Sequence, residues 1–351
     1  MRNASDNLAA LEKIATVDQL DELLSRPTPE AIEAMVRLEG DVILLGACGK
    51  IGPTLARMAR RAADEAGVPC RVIGVGRRAG PEVRQAFARQ NIEFLHCDLL
   101  DRAQLARLPD VPNVIYLAAM KFGATDQEPL TWAINTYLPG LVCERFRHSR
   151  IVAYSTGNVY RFSPVGGGGS TEEEPLEPVG DYAMSCVGRE RIFDHFSRTL
   201  DLPVCLLRLN YAHELRYGIM VDLAQKMLAG QPIDVTMGYF NAIWQGDANA
   251  MALRALEHTA VPARPINVAG PETLSVHRVA EQLAALLDRP VAFTGREAPD
   301  ALLSDGNRGY ALLGHPRVGP EPMMRWIAHW QLQGGPVLGK PTKFQVRDGR
   351  F

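Results

Sequence analysis

With 351 residues, 46% of them hydrophobic, the chain is long enough to bury a sizeable core, and its length suggests about two domains. A formal net charge of -2, with no basic stripe and no acidic tail, argues against nucleic acid or a membrane surface as partner. Six scattered cysteines (Cys48, Cys70, Cys97, Cys143, Cys186 and Cys205) form no Cys-x-x-Cys pair, and the histidines show no His-x-x-x-His spacing. Neither a disulfide framework nor a metal site is therefore expected, and a reducing compartment fits.

Met1 to Asp21 is polar and carries acids, unlike a signal or transit peptide, and no run of roughly 18 apolar residues follows. The expectation is a cytoplasmic protein. Residues 1–38 read as an N-terminal helical extension, with Leu8, Leu11, Ile14, Leu20, Leu23 and Leu24 near helical spacing. Within it, Thr28-Pro29-Glu30 has the form of an N-cap, a first-turn proline and an acid on the positive helix end. From Asp41 the pattern becomes short apolar strands alternating with helical segments. The strands expected are Val42–Leu45, Arg71–Val75, Ile92–Leu95, Asn113–Leu117, Ile151–Tyr154, Val204–Arg208 and Ile266–Val268. Helical stretches include Leu55–Ala66, stopped by Gly67, and Leu130–Arg147. Near-continuous apolar strands joined by helices indicate an α/β protein with a Rossmann-type doubly wound parallel sheet.

Two insertions break the alternation. Ser163–Asp181 holds four consecutive glycines, Gly166 to Gly169, and then Glu172, Glu173 and Glu174; it reads as a flexible loop with solvated charge. His213–Ala242, with the segment after the last strand, reads as a smaller lobe over the carboxyl edge of the sheet. The expected division is thus 1–38 as extension, 39–212 and 243–270 as dinucleotide-binding domain, and 213–242 with 271–351 as substrate-binding lobe and tail. Trp326 and Trp330, four apart, mark a packing helix, and His195 reads as an ordinary helix residue. The polar stretch Lys340 to Arg347 would cap the lobe or lie over a neighbour.

The strongest local signal is Gly46-Ala47-Cys48-Gly49-Lys50-Ile51-Gly52, directly after a strand and opening a helix. A turn without side chains lets the backbone approach a diphosphate, and the helix N-terminus adds N–H donors and positive dipole. The spacing is one residue wider than the general dinucleotide fingerprint. The second strand ends in Gly76-Arg77-Arg78 rather than in the acid that would accept from a ribose hydroxyl. Paired guanidiniums suit a 2'-phosphate, so NADP is favoured over NAD.

Further along come Cys97-Asp98-Leu99, Leu117-Ala118-Ala119, Asn135, Ser155-Thr156-Gly157-Asn158-Val159-Tyr160, Tyr182-Ala183-Met184-Ser185, Arg208-Leu209-Asn210-Tyr211, Gly246-Asp247 and Asn267-Val268-Ala269-Gly270. In this order and spacing, over about residues 40 to 315, the chain resembles the extended short-chain dehydrogenase/reductase family, also described as NAD-dependent epimerase/dehydratases. The resemblance implies that Asp98 and Leu99 lie beside the adenine, and Ala118 and Ala119 beside the phosphates and riboses. It implies that Thr156 holds the reacting oxygen and that Tyr182 transfers its proton. Lys121 is similar to a lysine of sugar-nucleotide epimerases and dehydratases. The family also pairs as a homodimer through long helices, here including Leu130–Arg147 and Ser185–Leu200.

One departure bears on the chemistry. The family has lysine four residues after the tyrosine, on the same helix face, and here that position is Cys186. An ammonium there lowers the phenol's pKa from its usual value near ~10; a neutral thiol does not. Three readings stay open. Lys121 or Arg189 substitutes as the cation; Tyr182 or another acid/base works at a reduced rate; or the protein binds dinucleotide without turnover. A Cys186 nucleophile has no base assigned beside it. The function expected is an NAD(P)-dependent oxidoreductase, epimerase or dehydratase acting on a sugar or sugar derivative, with the nucleotide-linked form included. The alternative is a non-catalytic or regulatory NADP-binding protein.

Overall fold

The computed structural model describes Leu8, residues 11–121 and residues 126–350. Residues 1–7, 9 and 10 of the expected extension, and Phe351 of the tail, lie outside the described residues. Its centre is a seven-stranded parallel sheet. The first five strands are β1 (Val42–Leu45), β2 (Val72–Gly76), β3 (Glu93–His96), β4 (Asn113–Tyr116) and β5 (Arg150–Thr156). Val204–Leu209 and Arg264–Val268 complete it. Across the sheet the order is Arg264–Val268, Val204–Leu209, β5, β4, β1, β2, β3. Each expected strand is present, its ends shifted by no more than two residues.

Why the sheet carries helices on both faces is visible in β1. Its four residues are all buried, and the period of two sends Val42 and Leu44 to one hydrophobic cluster, Ile43 and Leu45 to the other. Val72 and Ile73 of β2 divide in the same way, as do Ile115 and Val114 of β4. The chain leaves β1 for β2 and β3 on one side, then returns to place β4 on the other side of β1. That reversal opens a crevice at the carboxyl ends of β1 and β4, the place where such sheets bind ligands.

The extension forms α1 (Val17–Leu24) and α2 (Pro29–Arg37). Thr28 caps α2 as its sequence suggests, accepting the Ala31 N–H at 3.0 Å. The two helices serve different layers. Leu20, Leu23 and Leu24 join the lobe core around Trp244, Trp326 and Trp330. Ala31 and Met35 instead pack in the sheet-side layer with Leu55, Ala59 and Ala62 of α3 (Gly52–Ala66). Gly67, left-handed at φ 67°, ends α3 and donates to Ala63 and Asp64. The helical stretch expected over 130–147 is interrupted by a π turn at Ala133–Tyr137, between Glu128–Trp132 and Leu138–Arg145.

Two expectations for the insertions need correction. The glycine-bearing loop is pinned rather than free: Ser163–Pro164 pairs antiparallel with Asp300–Ala301, and the Ser170 N–H donates to Leu303 at 2.9 Å. Glu172 is not a solvated charge. Its side chain is 3% exposed, and its carboxylate accepts the Asn267 N–H at 2.7 Å. Both partners lie more than ninety residues away in the chain, which a local reading of composition does not register. The tail lies on its own lobe: Phe344 is buried in the lobe core, and Thr342 donates from N–H and hydroxyl to Asp222 at 2.8 and 2.6 Å. Trp326 and Trp330 do pack in that core, while His195 sits exposed on the helix Gly180–Leu200.

Candidate active site

The glycine turn follows β1. Gly46 has φ 94°, and a Cβ there would stand 2.8 Å from the Ala118 amide nitrogen. A Cβ at Gly52 would come within 2.3 Å of the Ala47 carbonyl oxygen. The turn therefore folds tightly onto itself and onto the end of β4 only with these two residues bare. No side chain caps the N-terminus of α3, and Pro53 occupies its first turn. These features fit a dinucleotide's diphosphate.

Two clefts meet at this turn. The first, of about 290 Å³, is lined by Gly46, Cys48, Gly49, Arg77, Arg78, Asp98, Leu99, Ala118 and Ala119, among others. Arg77 stands 3.7 Å from Asp98 across it. The second, of about 300 Å³, holds Lys50, Ile51, Gly52, Lys121, Thr156 and Tyr182. Gly46, Gly49, Leu117 and Ala119 line both, so one groove runs over the carboxyl edge of the sheet. The expected cofactor-binding and catalytic residues lie along that groove, while Cys186 and Asn135 lie outside its lining.

Thr156 ends β5, and Tyr182 stands in the first turn of Gly180–Leu200. The Thr156 hydroxyl donates to the Asn158 side chain at 2.9 Å and accepts the Asn158 N–H at 3.2 Å. Tyr182 lines the same cleft as Thr156 and packs with Cys186 in one buried cluster. Burial, then the Cys186 thiol, hold the Tyr182 phenol well above its usual range, while Arg189 works in the opposite direction. Burial likewise raises Cys186, so the thiol is neutral and is a poor nucleophile.

Both candidate cations are near the tyrosine. Lys121 places its ammonium 5.7 Å from the centre of the Tyr182 ring. Burial lowers its pKa to about 8, opposed by Cys186 and Asp222. Arg189 is 2% exposed and donates to the Tyr154 carbonyl at 2.9 Å and to Asn135 at 2.7 Å. Asn135, in the π turn, also accepts the Met120 N–H and donates to Ser185. It thus ties the segment after β4 that carries Lys121 to the helix carrying Tyr182, a use in keeping with π turns at functional sites.

Under the site runs a buried polar chain. The Ser155 hydroxyl donates to Glu190 at 2.5 Å, Arg208 pairs with Glu190 at 2.7 Å, and Arg208 also donates to the Tyr160 hydroxyl at 2.7 Å. Tyr160 in turn donates to Asn267 at 2.8 Å, linking β5, the long helix and the last two strands.

Tyr211, the last residue of the Arg208-Leu209-Asn210-Tyr211 run, adopts φ 45° at the second cleft, a strained conformation for a tyrosine. Two side chains there carried no sequence signal. Tyr217 underlies the Lys50 ammonium at 4.0 Å. Lys340 reaches the same cleft from the tail. No spacing or motif connects these positions to Tyr182; only the folded lobe brings them together. Among the described residues no cluster of potential metal ligands occurs, and the six cysteines are free.

The description of the NAD dependent epimerase/dehydratase family matches residues 42–269. Solved structures similar to this chain include UDP-glucuronic acid 4-epimerase from Bacillus cereus in complex with UDP-glucuronic acid and NAD. It is 19% identical at a TM-score of 0.70, over 84% of this chain and 99% of that one. DesIV, a dTDP-glucose 4,6-dehydratase from Streptomyces venezuelae with NAD and TYD bound, is 20% identical at 0.68, over 84% and 97%. MoeE5 in complex with UDP-glucose and NAD is 19% identical at 0.68, over 84% and 99%. At such identities the likeness is one of fold. A comparison with curated proteins gave no significant match.

Proposed function

Because this chain belongs to the NAD dependent epimerase/dehydratase family, we propose that it is an NAD(P)-dependent enzyme acting on a sugar or sugar derivative. The sheet domain (39–212 and 243–270) holds the dinucleotide, and the lobe (213–242 and 271–351) closes over the substrate. The observation that carries this reading is the placement of Tyr182 and Thr156 in one cleft, with Lys121 beside the tyrosine ring, in a groove continuous with the glycine turn.

Gly46, Cys48, Gly49, Lys50, Ile51 and Gly52 are the residues that would receive the diphosphate. Arg77 and Arg78 suit a 2'-phosphate, which favours NADP, with Asp98 and Leu99 at the adenine and Ala118 and Ala119 at the riboses. When bound, the dinucleotide supplies the acceptor or donor of hydride. Thr156 and Tyr182 hold the reacting oxygen between two hydroxyls. With its pKa raised, Tyr182 is protonated at neutral pH, so its readiest act is to donate to an oxygen that gains charge. Lys121 and Arg189 then stabilise the phenolate left behind.

A second reading rests on Cys186: an NADP-binding protein without turnover, since the family's ammonium is missing where the phenol needs it. Titration with both nicotinamide nucleotides in both redox states, followed by nicotinamide absorbance with a panel of sugars and nucleotide-sugars, separates the two. Redox change with any sugar supports the enzyme, and tight binding with none supports the second reading. No nucleotide binding sinks both.

We also read the chain as a homodimer. A groove of about 520 Å³ lies on the faces of Glu128–Arg145 and Gly180–Leu200, with Trp132, Tyr137, Leu141, Ile192 and Phe196 along it. Tyr137, 52% exposed, stands at its wall.

A further inference from the structure

The cleft beside Tyr182 has an uneven charge distribution. Lys50, Lys121, Arg189 and Lys340 all line it, and no described residue lining it is an aspartate or glutamate. Within about 300 Å³, four positive groups therefore converge where a neutral sugar would need only hydroxyl and amide partners.

Arg189 is committed behind the tyrosine, to the Tyr154 carbonyl and Asn135. The three lysines approach from three separate parts of the chain. Lys50 leaves the glycine turn and puts its ammonium 2.7 Å from the Ala212 carbonyl and over the Tyr217 ring, beyond the end of Val204–Leu209. Lys121 follows β4. Lys340 comes from the tail, which is held in place two residues later by the Thr342 bonds to Asp222 and then by buried Phe344.

Two acids act on these lysines from outside the cleft's lining. Asp222 accepts the two Thr342 bonds and acts on Lys121, while Glu214 acts on Lys50 and is paired with Arg216 at 3.0 Å. They moderate the positive field without entering the cleft. Burial lowers Lys50 to about 7 and Lys121 to about 8, and the two lysines repel each other. An anion placed among them would relieve both effects.

We infer that the substrate held beside Tyr182 is a sugar acid, its carboxylate received by Lys50, Lys121 and Lys340. The inference rests on the hydride-transfer reading for the role of Tyr182. The dinucleotide's own diphosphate does not account for the arrangement, because Lys340 reaches the cleft on the Tyr182 side and is absent from the wall of the Arg77 cleft.

The test uses the full chain, with and without the nicotinamide nucleotide that it binds. Calorimetric dissociation constants are measured for glucuronate and gluconate, with glucose as the neutral probe. The nucleotide-loaded protein should bind at least one acid about tenfold or more tightly than glucose, as expected of charge-assisted hydrogen bonds. Lys340→Met should remove most of that preference and move the nucleotide's dissociation constant by less than about twofold. Equal binding of acids and glucose overturns the inference, as does failure of both acids to bind. So does a Lys340→Met variant that weakens nucleotide and acid alike. If no nucleotide binds, the hydride-transfer reading fails, and the acid preference is judged by itself on the nucleotide-free protein.

Discussion

Tyr182 and Cys186 share one helix face and one buried cluster, and the thiol opposes ionisation of the phenol where an ammonium would favour it. If Tyr182 carries the proton, Tyr182→Phe should lower turnover by about 10² or more, with dinucleotide affinity changed by less than about threefold. A variant that keeps the full rate would remove Tyr182 from the mechanism. Lys50 offers a test that needs no substrate. Burial lowers its pKa to about 7 in the folded protein, below the usual lysine value of 10.5. Between those values the unfolded chain binds more protons, so this residue's contribution to stability grows as pH rises. Denaturation midpoints from about pH 7 to 9 should rise for the wild type relative to Lys50→Met, and parallel profiles would contradict the lowered pKa. Below the site, Arg208 and Glu190 are 5% and 3% exposed. Truncating one partner leaves a buried charge, so Arg208→Ala should cost about 3–5 kcal/mol in urea unfolding.

Helices α1 and α2 follow each other in the chain yet finish different cores. Leu20 is wholly buried among residues of the lobe, so Leu20→Ala should cost about 2–5 kcal/mol, read by denaturant unfolding. A cost below about 1 kcal/mol would mean that α1 is an ornament on the lobe. The contrast between what was legible and what was not follows the range of the interactions. The strands of the sheet were legible because runs such as Val42–Leu45 are buried on both faces and contain no polar residue. The glycine turn was legible because its geometry depends on seven adjacent residues. Lobe pairs such as Ile233–Asp234 with Phe293–Thr294 are two residues long and leave no period to detect. Glu172 was misread because its partner is the amide of Asn267, and Lys340 was missed because the fold alone carries it to Tyr182. The π turn was hidden for another reason: Asn135 stands among the motifs of the resemblance, but its helical surroundings give no sign of the turn until Met120, Ser185 and Arg189 are seen around it.

Over the whole molecule, the open groove between Glu128–Arg145 and Gly180–Leu200 borders the helix that carries Tyr182. If two copies pair there, Tyr137→Glu should convert a dimer into a monomer in sedimentation velocity, because a charge would be desolvated in the contact. A monomeric wild type would refute the pairing. The lobe core, meanwhile, takes Leu20 from one end of the chain and Trp326 from the other, and the Trp326 indole donates to the Leu11 carbonyl at 2.8 Å. During synthesis, at about 5–20 residues per second, Leu20 waits roughly 15–60 s for Trp326 to be made. All seven strands of the sheet emerge within that interval, with Leu215, Leu223 and Trp244 of the lobe core, so the sheet has time to form before Trp326 completes that core. A ribosome-bound intermediate with a finished sheet and a half-assembled lobe core is where a holdase chaperone would engage this protein.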